Sequence, residues 1–181
     1  NNSAKLEGNW VGKLDVTKQF EDGIKAAYPD LADYVDFEEL AFVLDVSFVE
    51  GHMEITVQQD SINKFNENFS KGMKGIAEGY WSAQLARYDM TIEEDRYESG
   101  MTEDAYLNNI YATTGIDKMT VAMVEVTNTT LDRISQMEGT YTVLGKELRL
   151  WYTDEQYESM GFSFEGKTLN IVIKGEGFSL H

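Results

Sequence analysis

The stretch from Met137 to Ile173 contains two segments with the same pattern, YTVLGKELRL at 141–150 and FSFEGKTLNI at 162–171. In each segment an aromatic-led run alternates apolar and polar residues, breaks at a Gly-Lys pair, and resumes with leucine or isoleucine at every second position. Glycine suits such a turn because it adopts positive φ without steric cost, and the lysine after it keeps the turn solvated. The pattern therefore predicts two β-hairpins that each bury one face.

Similar alternation predicts the other strands of the same sheet. Residues 6–16 indicate a long first strand, in which Gly8 and Gly12 would allow sharp coiling. Residues 40–57 indicate another hairpin, and residues 177–180 a short last strand. Together with the two hairpins these segments give eight strands, which can close into a small up-and-down antiparallel barrel without free edges. An open sandwich remains an alternative, because alternation does not report closure.

Two regions have the spacing of amphipathic helices instead of alternation. Residues 17–36 predict two short helices joined at Pro29, and residues 61–88 predict one long helix. Three glycines interrupt the long helix, and each costs about 1 kcal/mol relative to alanine in a helix interior. A close backbone approach to a neighbouring element would explain their presence at Gly72, Gly75 and Gly79.

The region between the long helix and residue 135 completes a helical block. Thr91 and Thr102 stand at capping signatures, which predict one or two helices that end before Gly115. Residues 117–135 fit the spacing of a further helix, but the β-branched run TVAMVEVT at 120–127 also suits a strand. We expect the helix and leave the strand open.

Length and composition favour one domain. With 181 residues, 42% of them apolar, and a single proline, the chain can bury a sizeable core. We predict one mainly β domain over residues 1–181, in which residues 5–59 and 137–181 supply the barrel strands. Helices would lie between the first and second strands, and residues 61–135 would form a helical insertion between the third and fourth.

Charge and cysteine content exclude several classes of function. The formal net charge of −17 argues against nucleic acid and anionic lipid as partners, since both require clusters of lysine and arginine. Without cysteine there is no disulfide framework, thiolate metal site or cysteine nucleophile. No apolar run reaches the length of a membrane span. The first residues, NNSA, lack an initiator methionine, as expected for a processed exported protein or for a recombinant fragment.

Three motifs resemble known families. Gly8-Asn9-Trp10 resembles the Gly-x-Trp signature of lipocalins, whose tryptophan closes one end of an eight-stranded barrel, and the helix pair after the first strand is similar to the lid of fatty-acid-binding proteins. A closer resemblance is to the lipocalin-like domain of Gram-positive bacterial surface lipoproteins, through LEGNWVG at 6–12, MTEDAYL at 101–107 and EGTYTVLGKEL at 138–148. The final strand differs from true lipocalins in lacking the arginine that packs on the tryptophan, and the helical insertion is foreign to them.

This resemblance implies an extracellular protein that is anchored to the cell surface. The anchor would be a lipid on a cysteine upstream of residue 1, and there would be no transmembrane segment. We therefore expect a lipocalin-like barrel located outside the cell.

Catalytic and metal sites are poorly supported by the sequence. The two histidines, His52 and His181, stand in a predicted turn and at the terminus, whereas zinc needs three or four convergent ligands and a serine triad needs an oriented histidine. The acidic runs at 93–95 and 154–155 lack the fixed ligand spacing of a calcium loop and are interpreted as solvated faces. We expect a protein that is not an enzyme and has no cofactor.

Aromatic residues give the best indication of a ligand site. Those with inward strand parity are Trp10, Phe42, Phe48, Tyr141, Tyr152, Phe162 and Phe164. Trp151 has the opposite parity and should lie outside the barrel or under a helix. The predicted ligand-binding residues are Trp10, Phe42, Leu44, Tyr141 and Leu148 inside the barrel, with Tyr80 and Trp81 of the long helix at its mouth. The alternative is that these rings fill the interior, because eight strands enclose little more than their own side chains.

Two functions follow from these alternatives. In the first, the protein is a binding module that holds a small hydrophobic or amphipathic molecule in a helix-covered barrel. In the second, the core is filled and the helical insertion is a contact surface for a protein partner. Exposed tyrosines make good anchors in such surfaces, and the candidates among the acidic helices are Tyr97, Tyr106 and Tyr111.

Overall fold

A computed structural model describes residues 2–173 and 176–181 of the chain. The chain divides into two compact units. The first, here called the barrel unit, comprises residues 1–15, 41–62 and 128–181. The second, here called the helical unit, comprises residues 16–40 and 63–127.

Helices and strands both contribute substantially to the described residues. The strands are β1 Gly8–Asp15, β2 Ala41–Val49, β3 His52–Val57, β4 Glu138–Leu144, β5 Glu147–Trp151, β6 Tyr157–Glu165, β7 Thr168–Ile173 and β8 Glu176–Leu180. The α-helices are α1 Asn2–Leu6, α2 Thr17–Ala27, α3 Gln59–Ala86, α4 Ile92–Ser99, α5 Glu103–Thr114 and α6 Ile116–Ser135, and a 3-10 helix spans Pro29–Tyr34. Because helices hold 51% of the described residues, the expectation of a mainly β protein is too strong.

The eight strands form a closed antiparallel barrel. Each strand pairs with the next along the chain, and β8 returns to β1, so the predicted closed barrel is confirmed and the open sandwich is wrong. Where the barrel closes, Gly12 lies opposite Leu180, and the backbone of Val11 exchanges two hydrogen bonds with His181 at 3.0 and 2.9 Å. A Cβ atom on Gly12 would collide with the Leu180 side chain, so a larger residue here would force that buried side chain to shift.

The hairpin turns use the glycines expected from the sequence. Gly145 joins β4 to β5 with a φ of 63°, and Gly166 joins β6 to β7 with a φ of 61°. Between β2 and β3 the left-handed conformation falls on both Glu50 and Gly51. Left-handed turn residues match the right-handed twist of the strands they connect, and the strand registers follow from these turns.

The first strand is shorter than the predicted range 6–16. Residues Asn2–Leu6 form α1, and β1 begins at Gly8 with a φ of 129°, which residues other than glycine rarely adopt. Leu6 is nevertheless fully buried, and its carbonyl accepts a hydrogen bond from Trp10 Nε1 at 2.8 Å. The alternation in the sequence correctly indicates that Leu6 is buried, but Leu6 is buried as part of a helix and not of a strand.

In the helical unit, α2 is followed by the 3-10 helix that begins at Pro29, as predicted for residues 17–36. The long helix α3 contains the three glycines, and two of them permit close contacts. A Cβ atom on Gly72 would enter the ring of Phe37, and one on Gly79 would lie 2.7 Å from the Tyr34 ring. Nothing lies within 4 Å of the corresponding position on Gly75, so the expected close approach applies to two of the three glycines.

The remaining helices follow their capping residues. Thr91 accepts a hydrogen bond from the Glu94 amide at the start of α4, and Thr102 caps α5, which ends at Gly115 in the left-handed conformation. Residues 116–135 are the helix α6, so the strand alternative for this segment is wrong. Among the described residues, none of these helices combines the length and apolar character that a membrane-spanning helix needs.

Candidate functional site

One end of the barrel interior is filled by aromatic rings. Phe48 packs edge-on against Tyr141, with ring centroids 5.2 Å apart. Phe162 and Phe164 form a second edge-on pair at 6.0 Å, and Trp10 lies 6.2 Å from Phe164. These contacts are typical of a packed core. Aromatic rings that contact one another therefore occupy this end of the barrel.

A small apolar cavity lies in the interior of the barrel. Its volume is about 50 Å³, whereas sites for small organic ligands occupy about 300–1,000 Å³. The lining residues are Leu14, Leu44, Val46, Met53, Ile55, Ile134, Met137, Ile171, Ile173, Phe178 and Leu180. A ligand of the expected amphipathic type would fit only if these side chains moved apart.

The seven residues predicted to bind a ligand are not brought together at this cavity. Phe42, Leu44, Tyr141 and Leu148 are buried in the barrel unit, and among them Leu44 lines the cavity. Trp10 is partly buried at the aromatic end.

The other two predicted residues belong to the helical unit. Tyr80 packs edge-on against Tyr34 at 6.2 Å, and Trp81 Nε1 donates a hydrogen bond to the Tyr106 hydroxyl at 3.0 Å. Both side chains thus have partners within their own unit.

Two aromatic residues after β4 have different outcomes. Tyr152 was predicted to face inward, but β5 ends at Trp151 and the Tyr152 side chain is 42% exposed. Its hydroxyl donates to Glu158 Oε2 at 2.8 Å. Trp151 lies on the outer face of the barrel, as its parity predicts, and its ring packs against Tyr157 with a centroid distance of 4.6 Å.

A concave surface of the barrel unit lies on this outer face. Thr140 in β4 pairs with His52 in β3 on one side and with Trp151 in β5 on the other, so these three residues form a row across three strands. The resulting groove, here called the outer groove, has a volume of about 520 Å³. Its lining residues are His52, Gly139, Thr140, Thr142, Trp151, Tyr152, Thr153 and Asp154. It is about ten times larger than the interior cavity.

Hydrogen bonds fix the two parts of the outer groove. On the sheet, Trp151 Nε1 donates to Thr142 Oγ1 at 2.9 Å. In the loop after β5, Thr153 Oγ1 accepts from the amides of Glu155 and Gln156 at 3.3 and 3.0 Å. The Thr153 side chain therefore fixes the conformation of the loop that contains Asp154, as in Ser/Thr turns.

Ionisable side chains surround the outer groove. His52 Nε2 lies 3.3 Å from Glu138 Oε1. On the adjacent surface, hydrogen bonds from Arg149 and Ser159 lower the pKa of Glu147. The Arg149 guanidinium also lies over the Tyr157 ring, 4.7 Å from its centroid. Arg149 is thus already engaged with Glu147 and Tyr157 beside the groove.

A hydrogen-bonded chain in the helical unit corrects the prediction for Tyr106. Tyr106 was proposed as an exposed anchor, but it is only 5% exposed. Its hydroxyl donates to Asp95 Oδ2 at 2.6 Å and accepts from Trp81, so it connects α3, α4 and α5. Tyr97, by contrast, is 88% exposed, and Tyr111 is intermediate in burial.

Ionisation of the Tyr106 hydroxyl should lower the free energy of unfolding at alkaline pH. Burial, with the hydrogen bond to Asp95, raises the pKa of Tyr106 from 10.0 to about 12. The folded state therefore keeps the proton that the unfolded state loses, so this contribution is complete below pH 10 and is lost as the pH rises towards 12. We expect Tyr106→Phe to reduce the loss of stability between pH 9 and pH 11, measured by urea unfolding.

The wild-type pH dependence should diminish in this variant without disappearing, because burial also raises the pKa of Tyr111 and Tyr141. At neutral pH the variant should lose about 2 kcal/mol with the hydrogen bond to the Asp95 carboxylate. An unchanged slope between pH 9 and pH 11 would contradict the assignment.

The sequence pattern indicates Trp151 and the two outward threonines of β4, but not His52 or Asp154. Thr140 and Thr142 share the outward parity of β4, and Trp151 that of β5, so the row could be found by comparing outward positions of adjacent strands. His52 and Asp154 carry no such signal, since each lies at the start of a strand or in a loop.

Neither the site chemistry nor a comparison identifies a family. In the part of the chain that the structure describes, no three His, Cys, Asp or Glu side chains are grouped so as to hold a metal ion. No family model, curated protein or solved structure matches the chain.

Proposed function

We propose that this protein is a non-enzymatic binding module in which the filled barrel is a scaffold and the outer groove holds the ligand. The single observation that supports this proposal is the contrast in volume, about 520 Å³ for the groove against about 50 Å³ for the interior. The groove also combines an aromatic ring with hydroxyl, imidazole and carboxylate groups, which is the usual composition of a small-molecule site.

The proposal places the module outside the cell as a lipocalin-like domain of a lipid-anchored surface protein. Support comes from the motifs at 6–12, 101–107 and 138–148, which resemble such lipoproteins. The net charge of −17 disfavours nucleic acid as a partner. A small molecule from the surroundings of the cell is the partner that fits both features.

A second candidate function is protein binding by the helical unit. The observation that favours it is the exposure of Tyr97, together with that of Tyr88, which is 82% exposed. Tyr97 lies in α4, which has three acidic residues in its first turn and no buried residue. Such a helix can offer tyrosine rings to a partner at little cost in stability.

The three tryptophans distinguish these functions, because each lies in a different candidate site. Trp10 is in the barrel interior, Trp81 in the helical unit and Trp151 in the outer groove. We expect probes that bind the module to shift the indole N–H signal of Trp151 in ¹⁵N-edited NMR spectra while those of Trp10 and Trp81 stay in place. Single Trp→Phe variants assign the three signals.

A suitable probe set contains neutral disaccharides, tetramethylammonium, inorganic phosphate and decanoate. A shift at Trp10 with decanoate would instead support a ligand inside the barrel. If every probe leaves Trp151 unchanged, the groove is not a small-molecule site and the proposed function is wrong.

A further inference from the structure

We propose that the outer groove binds a neutral carbohydrate, a conclusion that rests on the proposed function. A sugar ring has a face of C–H groups and an edge of hydroxyls, so its site needs a flat apolar surface next to groups that both donate and accept hydrogen bonds. Trp151 supplies the first, and Thr140 and Thr153 supply the second. His52 and Asp154 add an imidazole and a carboxylate at the ends.

The Trp151 ring is suited to stacking because its orientation is fixed. Its N–H is occupied by Thr142 Oγ1 at 2.9 Å, and one side packs on Tyr157 at 4.6 Å with the planes inclined by 46°. The indole therefore offers ring surface to a ligand instead of a hydrogen-bond donor. Because the side chain is already ordered, binding would cost little additional conformational entropy.

An anionic ligand fits the outer groove poorly. None of its eight lining residues is lysine or arginine, and Asp154 is among them. His52, the remaining candidate cation, lies 3.3 Å from Glu138, and the whole chain has a charge of −17. Phosphate or carboxylate groups would meet net repulsion there.

A quaternary ammonium ligand also fits less well than a sugar. Such cations are recognised by several aromatic faces that surround the charge. The third ring near Trp151 and Tyr152 is that of Tyr157, and the Arg149 guanidinium already lies over it at 4.7 Å. A second cation would meet the charge of Arg149, whereas a neutral sugar would not.

The position of the outer groove on the open face of the strands suggests that it binds a segment of a polysaccharide instead of an enclosed single sugar. Its row of residues crosses β3, β4 and β5 on the outer face, and its volume lies within the range of small-ligand sites. A disaccharide can lie across this row while both of its ends continue into solvent. Polysaccharides are therefore appropriate probes.

Native electrophoresis in gels that contain a soluble polysaccharide tests this inference. The panel comprises β-glucan, xylan, mannan and starch, each compared with a gel without polysaccharide. We expect at least one to retard the full chain, and Trp151→Ala to weaken that binding about tenfold or more, as removal of a central aromatic anchor does. Val172→Ala, on the outer face of β7 and away from the groove, should be retarded like the wild type.

Asp154→Ala provides a second groove variant for the case that Trp151→Ala does not fold. It lies in the loop after β5 and should weaken binding about tenfold to a hundredfold, the range for loss of one hydrogen bond to a charged group. Equal retardation of Asp154→Ala, Val172→Ala and the wild type would place any bound sugar elsewhere and overturn the inference.

The NMR probes separate failure of this inference from failure of the proposed function. If no polysaccharide retards the protein but tetramethylammonium or phosphate shifts the Trp151 signal, the groove binds small molecules and the carbohydrate assignment is wrong. If neither sugars nor ions affect Trp151, both proposals are wrong. A Trp151 shift with cellobiose, maltose or mannobiose, together with retardation by the related polysaccharide, supports both.

Discussion

Replacing Gly72 with alanine should lower the free energy of unfolding by about 2 kcal/mol, although alanine is the better helix former. The added methyl would enter the ring of Phe37, which is buried and stacks on Phe69 with planes only 6° apart. Because Phe69 and Phe65 stack in turn at 6.3 Å, the Phe37 ring cannot move without disturbing this aromatic cluster. The overpacking cost should therefore exceed the gain in helix propensity.

Gly75→Ala is the matched control, since Gly75 lies in the same helix and has open space around its Cβ position. It should raise stability by about 1 kcal/mol, the ordinary difference between glycine and alanine in a helix. Urea unfolding followed by circular dichroism gives both values. Equal changes of the same sign in the two variants would contradict the role assigned to Phe37.

Gly139→Ala should be the most damaging single methyl addition in the barrel unit, with an expected loss of about 3 kcal/mol. Gly139 is the second residue of β4, and a Cβ atom there would collide with the backbone carbonyl oxygen of Trp151. A side chain can rotate away from a clash, but this carbonyl belongs to β5. Relief would require the β4 and β5 strands to separate beside the outer groove.

Gly161→Ala tests whether this effect is specific to the site. Gly161 is also within a strand, and the nearest atom to its Cβ position is Val172 Cβ at 3.8 Å, an ordinary van der Waals distance. We expect that variant to be within about 0.5 kcal/mol of the wild type or slightly more stable. Thermal unfolding by calorimetry measures both, and a Gly139→Ala protein as stable as Gly161→Ala would refute the prediction.

Most of the fold could be predicted from the sequence because its signals are local. The Gly-Lys turns, the alternation in the strands and the threonine caps each depend on a few adjacent residues, and the structure places a turn, strand or helix start at each. Barrel closure could not be decided in this way. It depends on Gly12 meeting Leu180, two residues that lie far apart in the chain.

The predictions for Tyr152 and Tyr106 are wrong for a related physical reason. The spacing of residues in the sequence shows neither where a strand ends nor which partners a side chain finds in the folded protein. Tyr152 has inward parity only if β5 continues, but the strand ends at Trp151 and the loop that follows is held by Thr153. Tyr106 and Tyr97 have similar sequence surroundings, yet Tyr106 finds Asp95 and Trp81 as hydrogen-bond partners. Such partners come from tertiary packing and leave no mark in the local sequence.

The outer groove could be predicted only in part for a related reason. The alternation of residues in β5 predicts that Trp151 faces outward. It does not indicate that the ligand site lies outside the barrel, because the free volume of the interior cannot be derived from the alternation. Eight strands enclose a space that phenylalanine and leucine side chains fill, and this leaves about 50 Å³. The outer groove combines residues of β3, β4 and β5 that become neighbours only through the pairing register of these strands.

The strand pairing also has a consequence for how the barrel opens. Most adjacent strands share five or more residue pairs, but β3 and β4 share three, and the described residues of β1 and β8 share one. The two seams with the fewest residue pairs divide the barrel into a three-strand arc, β1–β3, and a five-strand arc, β4–β8. Local opening begins where few hydrogen bonds hold, and one of these seams, β3–β4, contains His52 and Thr140. Local opening between β3 and β4 would thus change the shape of the outer groove, while the strands within each arc stay paired.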